Sequence, residues 1–365
     1  MSGRRTKVLW LAKGLGRGGA EQLLVNCVRH ADRERYQIEV AYVLPHKDAL
    51  VPALAAAGVP VHCLGGAPGR RWPLRLRRLL AERRYDLVHT HMPVPAVAAR
   101  LLRPAGPRPR PRLVHTEHNL WERYRLPTRW ANALTYRRND AVIAVSHAVA
   151  AGVGRRRAGE WLSVVHHGPD LGGAPSGPAA RRAARERLGL PPEALVVGTV
   201  GNLTAKKDQA TLLAAFALLR GREPDARLVL VGSGPLEAEL RARAGDGVLF
   251  AGTRADVPEL LPGWDVFCLS SRQEGLPVAL MEAMASGLPS VVTGVGGVPE
   301  ILDDGVEGRL VPPGDPAALA AALGELTGPG ARERMGAAAR RRAESFDVAG
   351  AQRAVERVYA RVLAN

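Results

Sequence analysis

Two glutamates eight residues apart, Glu274 and Glu282, stand in the run EGLPVALME, which continues AMASGLPSVVTGVGGVPE as far as Glu300. Carboxylates accept hydrogen bonds from hydroxyl groups, so such a pair suits a ligand with hydroxyls at both ends. Pro277 is a residue for the first turn of a helix, and its place predicts that Gly275 and Leu276 present free N–H groups at the positive helix end. A helix tip of this kind stabilises an anion such as a pyrophosphate. Eight residues of helix rise about 12 Å, the scale of a nucleotide diphosphate between its ribose and its sugar. One acid would then grip hydroxyls at each end while the helix tip holds the middle. Upstream, residues 200–208 read VGNLTAKKD, and Lys206 and Lys207 can neutralise a departing diphosphate without a metal ion. The segments VGSGP at 231–235, with Gly232 and Gly234, and FAGTR at 250–254, ending in Arg254, are further strand-end loops suited to nucleotide contacts. No Asp-x-Asp triplet occurs, so a carboxylate-held divalent cation is not expected.

The first half carries a second set of cues. Residues 14–19 read GLGRGG, after an apolar run and before a helical pattern opening at Ala20 and Glu21. Glycines there admit a ligand to the backbone, and the helix start offers N–H groups to an anion. The same match fits a dinucleotide dehydrogenase, with Glu39 where a ribose-binding acid would stand. His89, His91, His115 and His118 close two apolar runs at alternating positions, a spacing shared by metal ligands and by hydrogen-bonded strand-end histidines. His118 and His91 are the two with the stronger claim to acid–base or hydrogen-bonding work.

The elements that must hold these residues are strands buried on both faces, alternating with helices. Apolar runs at 7–12, 38–44, 59–64, 87–91, 113–116 and 141–145 read as strands, with helices at 20–30 and 50–57. Residues 171–180, LGGAPSGPAA, read as a linker. The pattern then restarts, with strands at 195–201, 227–231, 248–251, 266–269 and 290–293 and helices at 209–220 and 279–286. This is the signature of two doubly wound α/β domains, 1–170 and 171–345, joined by a hinge, with the ligand expected in the cleft between them at the carboxyl ends of the strands. A length of 365 residues and a hydrophobic share of 46% suit two well-filled cores. No run approaches the ~20 apolar residues that span a bilayer. The apolar stretch at 8–12 is shorter than the ~7–15 residues of a signal peptide. Three scattered cysteines, Cys27, Cys63 and Cys268, suit a reducing cytoplasm rather than a disulfide framework or a zinc site.

Charge is divided unevenly. Residues 1–170 hold 29 Lys+Arg against 12 Asp+Glu, net +17, whereas residues 171–365 hold 22 against 23, net −1, together recovering the overall +16. The first half is therefore expected to face something anionic, a membrane surface, a phosphorylated acceptor or nucleic acid. Residues 70–80 are cationic with leucines at helical spacing, and Trp121, Tyr124, Trp130 and Tyr136 are interleaved with arginines. Such patches adsorb to anionic lipid, which points to the inner face of a membrane.

Taken in order, GNLTAKK, VGSGP, FAG, EGLPVALMEAMASGLPSV and GGVPE resemble glycosyltransferase family 4, the retaining enzymes of GT-B fold. GGAE at 18–21, DLVHTH at 86–91, TEHN at 116–119 and residues 145–146 resemble the family's landmarks in the first half, so the resemblance spans essentially the whole chain. It implies that Glu274 binds hydroxyls of the donor sugar, Glu282 the ribose and Lys207 the diphosphate. It also implies that Gly275 and Leu276 contribute amides, that Gly18 and Gly19, with Arg17, border the reaction centre, and that His118 contacts the transferred sugar. Residues 346–365 would form a helix returning to the first domain. Asn202 stands where the family usually has arginine, leaving Arg17 or Arg272 to supply a second cation, and HGPD at 167–170 replaces the usual NGxD.

The implied reaction moves a hexose-type sugar from a nucleoside-diphosphate sugar to an acceptor hydroxyl with retention, without a cofactor or a metal. The leaving diphosphate is then stabilised by Lys207 and helix-end amides. A lipid-linked, phosphorylated or saccharide acceptor, as in cell-envelope or polysaccharide synthesis, fits the basic half. Two rivals stand beside this reading. A nicotinamide-dependent oxidoreductase would use the first glycine loop but leaves Glu274, Glu282 and Lys207 idle, and a nucleic-acid-binding protein would use the basic half without any recognised binding module.

Overall fold

The computed structural model describes residues 4–16, 18–66, 71–103, 110–153, 161–170, 172 and 175–364. The chain divides into two compact units, one made of Met1–Gly168 with Val348–Asn365, the other of Pro169–Asp347.

Unit 1 is built on a parallel sheet of β1 (Thr6–Ala12), β2 (Tyr36–Tyr42), β3 (Val61–Cys63), β4 (Leu87–His91), β5 (Arg112–Glu117), β6 (Ala141–Ala144) and β7 (Leu162–Val164). The strand order is β3-β2-β1-β4-β5-β6-β7. Unit 2 repeats the plan with β8 (Val196–Val200), β9 (Arg227–Val231), β10 (Val248–Gly252), β11 (Val266–Leu269), β12 (Ser290–Thr293) and β13 (Gly308–Val311), in the order β10-β9-β8-β11-β12-β13. All pairings are parallel, and the central strands are buried on both faces, which is why their sequences lack polar alternation. In each sheet the order reverses beside the first strand, between β1 and β4 and between β8 and β11. The loops leaving the carboxyl ends of those strands are where an open α/β sheet binds ligands.

The helix Val348–Ala364 belongs to unit 1. Val355, Val358 and Tyr359 are buried with Val8, Trp10 and Tyr36 in one apolar cluster. Glu356 Oε1 accepts from the N–H of Asp32 at 2.9 Å.

Most strands fall where the apolar runs place them. β2 begins two residues earlier than expected, which puts Glu39 mid-strand rather than at a strand end. The helix Gly177–Leu188 takes up the tail of the expected linker, because Pro178 sits at its first turn and Gly189 closes it in a left-handed conformation. Leu171, Gly173 and Ala174 of that linker lie outside the described residues. The short edge strands β7 and β13 escaped the sequence reading, being three and four residues long. Among the described residues, no helix is long and apolar enough to cross a membrane.

Candidate active site

In unit 2 the two loops at the switch point meet. Lys207, from the loop after β8, places Nζ 2.6 Å from Oε1 of Glu274, from the loop after β11. Both groups are largely buried, with side chains 18% and 8% exposed. Ser271 Oγ donates to the same carboxylate oxygen at 2.6 Å. Thr293, the last residue of β12, donates to the carbonyl of Ser271 at 2.6 Å, tying the loop to the neighbouring strand. Gly296 is the second brace. Its φ is +58°, and a Cβ there would lie 1.8 Å from the Glu274 carbonyl oxygen, so only glycine lets the β12 loop press on the residue that carries the acid.

Asp208 fixes the other half of the pair. Its φ of 47° is left-handed, a conformation costly for a non-glycine residue and concentrated at functional sites. The turn is held because Asp208 Oδ2 accepts from Thr211 Oγ1 and from Arg272 Nε, each at 2.8 Å, while Ser270 Oγ donates to the Lys207 and Asp208 carbonyls. Lys206, by contrast, is exposed, and only its carbonyl is used, accepting from the Arg272 N–H at 2.8 Å.

Glu282 lies in the helix Val278–Ala285, partly buried. Its carboxyl has no hydrogen bond or ion pair among the described residues, and burial pushes its pKa up to about 7. A desolvated acid with no partner is a group waiting for donors. Two expectations are corrected here. Pro277 caps the helix rather than opening it, so the unpaired helix-end N–H groups are those of Val278 and Ala279, and Gly275 and Leu276 lie in the loop before it. Glu274 also precedes the helix by four residues, so an eight-residue helical rise does not separate the two acids.

Of the remaining residues expected in unit 2, Gly232 and Gly234 pack the β9 loop on the β8 loop. A Cβ at Gly232 would meet the Gly201 carbonyl at 2.1 Å, and one at Gly234 the Leu203 carbonyl at 2.3 Å. Asn202 is exposed, with its carbonyl accepting from Gln209 Nε2 at 3.2 Å. Arg254 is turned to Asp256, which it grips with Nε and Nη2 at 2.7 and 2.6 Å. Arg272 leaves its outer guanidinium exposed beyond Asp208.

In unit 1 the carboxyl ends of the neighbouring strands β4 and β5 carry histidines. His91 Nδ1 and His118 Nε2 are 3.1 Å apart, and His91 Nε2 is buried without a hydrogen bond among the described residues. The assignment that avoids burying an unpaired N–H puts the His91 proton on Nδ1, donating to His118, whose own proton then sits on Nδ1. Burial holds His118 down at about 3 and His91 well below the ordinary histidine range, so the pair is neutral. His118 is thus a hydrogen-bond donor rather than an acid. Behind them, His89 bonds Tyr359 Oη at 2.6 Å and Thr116 Oγ1 at 2.7 Å. His115 is paired with Thr90, its Nδ1 2.9 Å from Oγ1, and serves structure. Met92, next after His91, has φ 75° and ψ 146°, a region almost confined to glycine.

The first glycine loop is less suited to a phosphate than its sequence suggests. Gly18 caps the helix Gly19–Arg29, but a Cβ there would lie 2.3 Å from Oε2 of Glu21, so a carboxylate already occupies the positive helix end. Arg17 lies outside the described residues. Glu39 is engaged by Tyr85 Oη and His62 Nε2, each at 2.7 Å, which leaves no free acid for a dinucleotide ribose.

Ser271, Asp208, Thr293, Gly296, Met92 and Tyr359 went unremarked in the sequence. The signal available for Asp208 and Ser271 was adjacency to Lys207 and Glu274; for Tyr359 there was none.

Two doubly wound α/β units, one of them with a Lys–Glu pair at its switch point, agree with the GT-B fold that the sequence motifs implied. Residues 17–172 match Glycosyltransferase Family 4 and residues 194–328 match Glycosyl transferases group 1. The chain belongs to glycosyltransferase family 4 and is a transferase enzyme of GT-B fold. It is 30% identical over 321 residues to EpsF of Bacillus subtilis (strain 168), a provisionally named glycosyltransferase, covering 80% of either chain. It is 37% identical over 211 residues to a D-inositol 3-phosphate glycosyltransferase of Streptomyces griseus subsp. griseus, covering 53% of this chain and 44% of the other. The crystal structure of Anabaena HepE in complex with UDP and glucose superposes with a TM-score of 0.85 at 25% identity, over 98% of this chain and 100% of that one.

Proposed function

We propose that the enzyme is a retaining glycosyltransferase that takes a hexose-type sugar from a nucleoside-diphosphate sugar held by unit 2. The observation that carries this reading is the buried Lys207–Glu274 pair on switch-point loops of one sheet, with the unpartnered acid Glu282 in the helix that follows the Glu274 loop. Glu282 would accept the ribose hydroxyls, and Glu274 those of the sugar. Lys207 would move from Glu274 toward the β-phosphate, meeting negative charge as the glycosidic bond breaks. The N–H groups of Val278 and Ala279 would assist, with Gly275 and Leu276 lining the approach. In unit 1, His118 would donate through Nδ1 to the transferred sugar, and Gly18 and Gly19 would border the reaction centre. No carboxylate-held cation is needed, because the lysine and the helix end supply the positive charge. The UDP and glucose bound by HepE support this donor class. The acceptor would be a lipid-linked, phosphorylated or saccharide hydroxyl: the name of the D-inositol 3-phosphate glycosyltransferase supports a phosphorylated one, and that of the amylovoran biosynthesis glycosyltransferase AmsK of Erwinia amylovora supports a place in polysaccharide synthesis.

A thermal-shift panel in EDTA tests the reading. UDP or GDP and their sugars should raise the melting temperature, while NAD and NADP should leave it unchanged. NMR of the product should show the donor's anomeric configuration retained. Stabilisation by nicotinamide dinucleotides alone, or an absolute requirement for a divalent cation, would remove the proposal.

A further inference from the structure

The helix Leu126–Thr135 of unit 1 is inside out. Its buried residues are polar: Asn132 and Thr135 accept hydrogen bonds from Arg100 Nη1 at 2.6 and 3.3 Å, and Arg100 Nε is held by Asn139 at 2.9 Å. Its solvent side is apolar. Leu126, Trp130 and Leu134 are 66%, 68% and 81% exposed, the three most exposed large hydrophobic side chains among the described residues. Their spacing of four residues puts them in one stripe along the helix. Folding of unit 1 alone would bury Trp130 and Leu134 before Asn132. A contiguous apolar stripe left in water marks an interaction surface.

The charge around the stripe says what covers it. Residues 121–138 contain five arginines and a single acid, Glu122. Arg125, Arg129, Arg137 and Arg138 are exposed. The sequence had placed the membrane-facing element at residues 70–80 and among Trp121, Tyr124, Trp130 and Tyr136. In the helix Trp72–Arg83 Leu76 and Leu80 are turned into the core, leaving Leu74 as its one exposed leucine among exposed arginines, and Trp121 and Tyr136 are buried as well. Trp130 alone of those aromatics is exposed.

We infer that the helix Leu126–Thr135 docks flat on an anionic lipid bilayer, with Leu126, Trp130 and Leu134 sunk past the headgroups and the flanking arginines on lipid phosphates. A tryptophan with an apolar body and one N–H donor suits that depth, and arginines suit phosphate oxygens. A second copy is a poor occupant, since two-fold pairing would set one arginine-flanked stripe against itself. The proposal goes beyond the donor chemistry and is tested without it. It also bears on the acceptor, because His118 opens the same β5–β6 connection eight residues before Leu126.

The test is sedimentation of the full chain with phosphatidylcholine vesicles, with and without phosphatidylglycerol, across a salt series. Binding should require the anionic lipid and weaken with salt. The triple variant Leu126→Ser, Trp130→Ser, Leu134→Ser should bind at least tenfold less, with its melting temperature held or raised. The variant Arg125→Gln, Arg129→Gln should flatten the salt dependence. Brominated lipid should quench the wild-type fluorescence, and Trp130→Phe should lose most of that quenching. Absence of binding to anionic vesicles at low salt would overturn the inference, as would full binding by the triple variant. A concentration-dependent dimer abolished by the same triple variant would assign the stripe to self-association instead.

Discussion

Lys207 and Glu282 are opposite cases of charge in a partly dry setting. Lys207 is already neutralised by Glu274, so its removal strands a buried carboxylate as well as removing the cation for the leaving group. Lys207→Ala is expected to lower kcat by about 10²–10³, the cost typical of one lost charge-stabilising group. Steady-state rates at saturating donor would check it. Glu282 carries a pKa raised by burial to about 7. Hydroxyl donors bind its ionised form, so nucleotide affinity should climb by about tenfold between pH 6 and pH 8, with proton release on binding below pH 7. Calorimetric titration in buffers of different ionisation enthalpy reads both, and Glu282→Gln should flatten the profile. The same shift affects folding. A carboxyl with a folded pKa above its unfolded value of about 4.3 favours the fold below that pH and loses the contribution as pH rises through about 7. Glu282→Gln should therefore raise stability at pH 8, by up to about 4 kcal/mol, while costing affinity. Chemical denaturation at pH 5 and pH 8 would separate the two.

At the scale of elements, the loops after β8, β11 and β12 form one braced assembly, and its weak points are backbone positions. Gly296→Ala would force a methyl into the Glu274 carbonyl at a positive φ, and is expected to cost about 1–3 kcal/mol together with most of the activity. Met92→Gly should do the reverse for stability, gaining about 1 kcal/mol by relieving a backbone conformation that glycine tolerates. Urea titration checks both. Much of this level was readable beforehand. Residues 209–220, 227–231, 266–269 and 290–293 match their elements end for end because continuous apolar runs and turn residues bound them. What a linear pattern does not carry is contact through space. Nothing near Lys207 announces that Glu274, 67 residues on, holds it, and nothing in residues 126–135 shows that the apolar side of that helix is the wet one, because period fixes a face but not its direction. Pro277 misled for a related reason. Proline suits the cap as well as the first turn, and one residue of difference reassigns the helix-end amides.

At the scale of the molecule, unit 1 is closed by residues more than 180 positions away from its last strand. Tyr359 bonds His89, and Glu356 takes the N–H of Asp32, so the last helix is part of the framework behind His91 and His118. Removing residues 348–365 should unfold unit 1 and leave the sheet of unit 2 intact, which hydrogen exchange read strand by strand would show as lost protection in β1 to β7 and retained protection in β8 to β13. The uneven charge acquires a place as well, since part of the surplus of the first half flanks the exposed stripe of one helix. The claim on which the account depends is that unit 2 holds a sugar nucleotide between Glu282 and Lys207 without a metal. Titration of UDP and GDP into the wild type and the Lys207→Ala, Glu282→Gln double variant, in EDTA, tests it most directly. A hundredfold or greater loss of affinity in a variant that keeps its fold is the expected result, and unchanged affinity would contradict the assignment.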